Sequence, residues 1–467
     1  MFPKDFMFGA SMSGFQFEMG DPSASEEIDP NSDWFIWVRE SENLVNGIVS
    51  GDMPENGAWY WRQYDKVHSL AVDFGMDTLR IGIEWSRIFP TSTKHIPFDA
   101  PNLLEELDKI ANKSAVVHYR KIMEDMKSKG LKVFVNLYHF SLPLWLHDPI
   151  AVHKGKQTEK MGWICDDTPI EFAKFAEYMA WKYYDIVDIW ASMNEPHVVS
   201  QLGYFITSAG FPPAYFDPEW YMKSLKNEAT AHNLAYDAIK KHTTNPVGII
   251  YAFAWVDTIS PNDSDIFEEA MEMSNWRFMD MIKDKIDYIG VNYYSRMMID
   301  RLPTVVKLGP IEMKWNSLRG YGQSCVEGGV ALSGRPASDS GWEIYPEGLY
   351  KLLKAVSQRY KGIPLLVTEN GISDEKDKYR PFYIISHLYA VERAIEDGVD
   401  VRGYLHWSII DDYEWPKGYT KRFGLAYTDF EKKTYVPRPS MYIFKEISEK
   451  KTTKHLIGYD PYNLINF

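Results

Sequence analysis

Cysteine is almost missing from this chain. Cys165 and Cys325 are the only two in 467 residues, and no Cys-x-x-Cys occurs, which excludes a disulfide-stapled scaffold and a dithiol redox motif. Two isolated thiols fit a reducing compartment or indifference to redox. Long apolar runs are missing as well. No stretch approaches the length of a membrane span, and Met1-Phe2-Pro3-Lys4-Asp5 is not a basic stretch followed by a long apolar one, so a soluble, cytoplasmic protein without a membrane partner is expected. Basic residues are in deficit: 51 Lys and Arg against 65 Asp and Glu leave a formal charge of −14. A nucleic-acid partner would call for a basic stripe, so none is expected. The 12 histidines are scattered and His-Glu-x-x-His does not occur, so neither a metal nor another cofactor is expected. Linkers, internal repeats and low-complexity tracts are not evident.

Aromatic residues are in excess instead. The chain holds 16 Trp, 30 Tyr and 24 Phe, more than cores ordinarily use. Such a surplus fits either a large aromatic core or a cleft that stacks flat apolar faces of the kind sugar rings present. The remaining composition, 45% apolar and 25% charged, is that of an ordinary globular protein able to bury a large core.

Strand-like segments recur eight times, at 6–13, 78–83, 132–138, 186–193, 247–255, 288–293, 365–368 and 403–407. Helical patterns intervene, among them 114–129, 170–184, 223–242, 346–359 and 380–396. An uninterrupted α/β alternation repeated eight times predicts a single (β/α)8 TIM barrel spanning 1–467, whose active site lies at the C-terminal ends of the strands. Two long insertions follow predicted strands, 90–112 and 301–341, and both are expected to wall the mouth of that site.

Two of the predicted strands end in glutamate. Ser192-Met193-Asn194-Glu195-Pro196 closes the fourth, and Leu366-Val367-Thr368-Glu369-Asn370-Gly371 closes the seventh. A run that breaks at Pro or Gly lifts its carboxylate out of the sheet into a cleft. Paired carboxylates suit acetal hydrolysis, where one carboxyl protonates the leaving oxygen and the other stabilises or attacks the cationic sugar carbon.

These two segments resemble the catalytic signatures of the family 1 glycoside hydrolases. Further matches follow in order: Phe8-Gly9-Ala10, Gln16-Phe17-Glu18, Glu84-Trp85-Ser86-Arg87, Tyr138-His139, Gly290-Val291-Asn292-Tyr293-Tyr294, Gly341-Trp342-Glu343, Trp407-Ser408, Tyr413-Glu414-Trp415 and Arg422-Phe423-Gly424-Leu425. Trp145-Leu146-His147-Asp148-Pro149 and the segment 52–56 bring the resemblance nearest to the archaeal β-glycosidases that act on β-galactosides and β-glucosides. The resemblance implies a retaining, exo-acting β-glycosidase working without a cofactor, with β-fucosides as a further substrate class and a homo-oligomer, a tetramer, as its state. Glu195 would be the acid/base and Glu369 the nucleophile, whose charge keeps Glu195 protonated. Arg80 and Tyr294 would hold the nucleophile ionised, and Asn194 would bind the sugar's 2-hydroxyl. Gln16, His139, Glu414 and Trp415 would hydrogen-bond the terminal sugar, Trp407 would be its stacking floor, and Trp342, with Phe211, either lines the leaving-group side or packs in the core.

Three residues depart from the family pattern. Phe140 stands where Trp is common after the histidine, and Asp412 where Asn usually precedes the aromatic-Glu-Trp motif. Lys421 matches a phosphate-binding lysine of the 6-phospho-β-glycosidases, but Glu414 and Phe423 replace that branch's Ser and Tyr, and an acid facing a phosphate repels it. Lys421 is therefore expected on the pocket rim or in solvent. Four alternatives stay open: a 6-phospho-β-glycosidase, a transglycosylase, an endo-acting barrel hydrolase, and a non-catalytic sugar-binding relative, which would be expected to lose a catalytic glutamate.

Overall fold

The computed structural model describes all 467 residues. Eight short segments rich in β-branched and aromatic residues form its parallel strands: β1 Met7–Ser11, β2 Thr78–Gly82, β3 Lys132–Asn136, β4 Ile189–Asn194, β5 Val247–Ala252, β6 Ile289–Asn292, β7 Leu365–Asn370 and β8 Val401–Trp407. They close into a barrel in chain order, with β8 paired to β1. The eight predicted strands are these eight. Every residue of β2, β4 and β7 is buried, because such strands face the barrel interior on one side and helices on the other.

A helix follows each strand: α1 Tyr60–Asp73, α2 Lys113–Ser128, α3 Thr168–Tyr183, α4 Pro218–Lys240, α5 Arg277–Ile282, α6 Pro346–Arg359, α7 Arg380–Glu396 and α8 Pro439–Lys450. Local chemistry sets their starts. The Asn112 side chain accepts from Ala115 N ahead of α2, and Asp217 accepts from Glu219 N and Trp220 N ahead of α4, satisfying amides that no earlier turn can reach. Phe134, Ile189, Ala191, Ile250, Tyr288, Leu366 and Leu405 plug the barrel interior. Above that apolar layer the interior turns polar, and the candidate site begins there.

Both glutamate-bearing strands are irregular where it matters. β4 and β5 run in step to Ala191↔Gly248, then resume at Asn194↔Ile250. β7 and β6 run in step to Val367↔Val291, then shift to Glu369↔Asn292. One extra residue in each strand is a bulge, which reverses the faces beyond it. Strict alternation from inward Ile189 and Ala191 would send Met193 into the barrel and Asn194 out. Instead Met193 joins the outer core and Asn194 points inward. In β7 the same device turns Glu369 inward and sends Asn370 to Tyr383 of α7.

Two expectations need correction. The predicted strand 247–255 overruns: β5 stops at Ala252, and Trp255–Thr258 leaves the barrel to pair with Arg296–Leu308, which carries Ile311–Ser317 on its other edge. The insertion 90–112 does not wall the mouth. It lies along α3, where Lys174 donates to Thr93 O and Ile96 O, each at 2.8 Å, and Tyr178 donates to Asp108 at 2.7 Å. Lys174 is buried, so those carbonyls are needed partners and they draw the segment onto the flank. The later insertion does reach the mouth, through Glu327 and Asp339. No helix is long and apolar enough to cross a membrane.

Candidate active site

Glu195 directly follows β4 and takes a left-handed backbone conformation, φ 48° and ψ 51°. Its N–H donates to Ile250 O at 2.8 Å, and Pro196 behind it disfavours the right-handed helical region. A non-glycine residue held in this region costs of order 1–3 kcal/mol, which neighbouring structure must offset. Asn292, from the end of β6, donates to Glu195 Oε1 at 2.6 Å and to Asn194 Oδ1 at 3.1 Å. Thr368 of β7 orients that amide by donating to Asn292 Oδ1 at 2.8 Å.

Glu369 is held on both oxygens. Arg80, fully buried in β2, donates to Oε1 and also reaches Asn194 Oδ1 at 3.2 Å. Tyr294 donates to Oε2 at 2.6 Å. Arg80 thus ties the two glutamate strands together through one guanidinium, a planar fork suited to bridging.

The electrostatics separate the two carboxyls. Burial, then the charge of Glu369, pushes Glu195 up to about 8, against the pull of Asn292 and Arg80. Sequence reasoning named the charge of Glu369 as the cause, whereas loss of solvent is the larger one. His139 is driven well below its ordinary value by burial and by Arg80, so it is neutral. Its Nε2 meets the Asn194 amide at 3.3 Å, and its Nδ1 is enclosed without a protein partner.

The other predicted residues surround this centre. Trp407 and Trp415 both stack near the His139 ring, each with centroids 5.7 Å away and near-parallel planes. Gln16 donates from Nε2 to Asp412 at 2.9 Å and to Tyr413 O at 3.0 Å, and reaches Glu414 at 3.4 Å. Trp342 is half-buried against Tyr294 and Phe423. Phe211 instead packs among Trp34, Phe140 and Trp415, so its role is core packing. Ten of the eleven predicted site residues lie at the C-terminal ends of the strands or in the loops that follow them, and Arg80 reaches them from the middle of β2. The arrangement offers a protonated carboxyl, a carboxylate braced by Arg and Tyr, and a polar pocket walled by indoles, which is what acetal cleavage requires.

The family model described as glycosyl hydrolase family 1 matches residues 1–282 and 277–453. The chain belongs to that family. It is 44% identical to a β-galactosidase of Saccharolobus solfataricus over 96% of this chain and 95% of that protein. Its fold superimposes on the crystal structure of Fpglu1 from Fervidobacterium pennivoraus with a TM-score of 0.99, at 72% identity and with all of both chains covered. A β-glucosidase mutant described as derived from a hyperthermophilic tetrameric structure matches at a TM-score of 0.91 and 46% identity, over 97% of this chain and 98% of that one.

In this family 1 glycoside hydrolase, sequence reasoning missed Asn292, although it lies inside a quoted motif. The signal available was its spacing: two residues before Tyr294 on a strand, it shares Tyr294's side of the sheet. Glu84 was also passed over. It accepts from Phe15 N at 2.9 Å and from Ser141 Oγ at 2.5 Å, clamping the turn that carries Gln16 to the loop that carries His139. Lys421 is not solvated. It is buried and donates to Glu327 at 2.9 Å and to Asp339 O at 2.6 Å, pinning the later insertion to the loop after β8.

Proposed function

We propose that this family 1 hydrolase is a retaining, exo-acting β-glycosidase of terminal β-D-galactosides and β-D-glucosides, with β-fucosides within reach, working as one barrel over 1–467. The observation that carries this reading is the contrast between two neighbouring carboxyls. Glu195 is pushed up to about 8, and Glu369 accepts from both Arg80 and Tyr294. Glu195 donates its proton to the glycosidic oxygen while Glu369 attacks the anomeric carbon, breaking the bond to the leaving group and forming a glycosyl ester. Once esterified, Glu369 carries no charge, so Glu195 becomes more acidic and serves as base for the incoming water. Asn292 keeps its hydrogen bond to Glu195 through both stages and favours the ionised form that leaves after the first.

Substrate preference rests on the relatives' names and on Glu414. A carboxylate accepts from a 4-hydroxyl of either epimer by small shifts, so galactosides and glucosides both fit. The relative described as a mutant derived from a tetrameric structure supports a homo-oligomer, a tetramer, as the working state. Lys421 is bound to Glu327 and Asp339, which disfavours a 6-phosphate role.

Chemical rescue tests the assignment. Glu369→Gly should nearly abolish turnover and regain it with azide, yielding the α-glycosyl azide. Glu195→Ala should still react with substrates bearing good leaving groups, and azide should then yield the β-product. The unmutated enzyme should release the β-anomer first. The same azide anomer from both variants, or an α-anomer as first product, sinks the proposed roles.

A further inference from the structure

The loop after β8 sets a buried acid, Asp412, beside a half-buried one, Glu414, with no cation against either. Asp412 is fully enclosed, and Gln16 Nε2 donates to its Oδ2 at 2.9 Å while its Oδ1 has no protein partner. The Asp412 carboxyl is within hydrogen-bonding reach of Glu414, whose Oε2 takes only a long 3.4 Å contact from Gln16. Gln16 cannot serve both acids fully, because it also donates to Tyr413 O at 3.0 Å, and its own Oε1 is occupied by Ser13 at 2.8 Å. The other charged or titratable groups facing the pair are Asp411, Glu369, Glu195, Tyr294 and Tyr419. Their cations are committed: Arg438 binds Asp411 at 2.9 and 3.1 Å, Arg422 approaches it at 3.4 Å, and Arg80 binds Glu369. His139 beside Trp415 is neutral, and Lys421 is held by Glu327 and Asp339.

We propose that Asp412 is a positioning residue that keeps a proton and donates it to Glu414, so that the two acids act as one singly charged unit at the sugar-gripping end of the pocket. Two adjacent anions without a cation, one of them fully buried, are costly, and a shared proton removes one charge while supplying the short hydrogen bond Glu414 otherwise lacks. Burial, then neighbouring Glu414, drives Asp412 well above its ordinary value, and burial, then Glu369, raises Glu414. An Asn at this position, usual in the family, supplies the same hydrogen from a group that never titrates. The Asp in this chain therefore makes sugar binding depend on pH: the proton is lost as pH rises, and the pocket gains a second negative charge and loses the donor that serves Glu414. The inference rests on the reading of Glu414 as the acceptor for the sugar's 4- and 6-hydroxyls.

The test is the inhibition constant of D-glucose, and of D-xylose, which lacks the hydroxymethyl group, from pH 6 to 9 in the unmutated enzyme and in Asp412→Asn. Equilibrium constants leave out the titration of Glu195 in the chemical steps. Because Glu195 titrates in both enzymes, the expected result is glucose binding that weakens about tenfold more across this range in the unmutated enzyme than in Asp412→Asn, with a smaller difference for xylose. Parallel profiles in the two enzymes overturn the proposal, as does an equal change for both sugars, which would place the titrating group at the reacting carbon. Carbon-13 NMR of the aspartate carboxyls gives a second measurement should Asp412→Asn fold poorly, and an Asp412 signal titrating below pH 5 also overturns it. An unmutated enzyme that hydrolyses no β-glycoside would instead refute the proposed function.

Discussion

Replacing Glu369 by Gln removes one charge beside Glu195 at almost constant volume, and the spacing that double displacement needs sets the size of the response. Double displacement requires carboxyls roughly 5–5.5 Å apart. At that spacing and an effective dielectric near ~20, one charge is worth about 3 kcal/mol, or about 2 pH units. Glu195 stands at about 8 in the intact pair, with burial as the larger cause. In Glu369→Gln it should titrate no higher than roughly 6, because Arg80, freed of its partner, adds a further downward pull. It should nevertheless remain above the ordinary 4.5, since burial is untouched. Carbon-13 NMR of enzyme labelled at glutamate Cδ reads this directly, with Glu195→Gln identifying the signal. A Glu195 that stays within about half a unit of its intact value would show that the two acids are not coupled closely enough to exchange roles. A fall all the way to 4.5 would show that charge, not burial, raised it.

Two further outcomes are expected. Glu414→Ser removes the carboxylate proposed to accept from the sugar and should lower kcat/KM on plain β-glucosides by about 100-fold, the worth of one or two charge-assisted hydrogen bonds. Relative activity on 6-phosphoglycosides should rise, and rise further in Glu327→Gln/Glu414→Ser, which releases Lys421 from its carboxylate partner at 2.9 Å; an unmutated enzyme that already prefers the 6-phosphate refutes this pocket assignment. The second outcome concerns stability. Burial, followed by the charge of Glu18, raises Glu84 from 4.5 to about 8, and burial raises Glu18 to about 7 against the pull of Arg87. Because the folded state keeps protons that the unfolded chain gives up above 4.5, stability should fall as pH rises from about 5, each group contributing a slope of about −1.4 kcal/mol per pH unit until its folded value, about 7 for Glu18 and about 8 for Glu84. Urea midpoints across that range should show a shallower decline in Glu84→Gln, and a parallel decline would remove Glu84 from the cause.

The sequence by itself determined the barrel and the place of its chemistry. Strand and helix patterns are local properties of period and propensity, and α6 and α7 begin and end at the residues expected. Glu195 and Glu369 were legible because Pro196 and Gly371 mark the strand ends. What the sequence could not decide is which way residues point beyond an irregularity. The bulges in β4 and β7 reverse Asn194, Glu369 and Asn370, and alternation alone would have turned the nucleophile candidate outward. Nor could it show that Asn292 holds Glu195, that Glu84 clamps two loops, or that 90–112 lies on the flank. Those outcomes depend on partners far away in the chain, since buried polar groups choose whichever neighbours the closed barrel brings within reach. The same holds for charge. Glu195 is an ordinary acid in the sequence, and only burial beside Glu369 raises it to about 8.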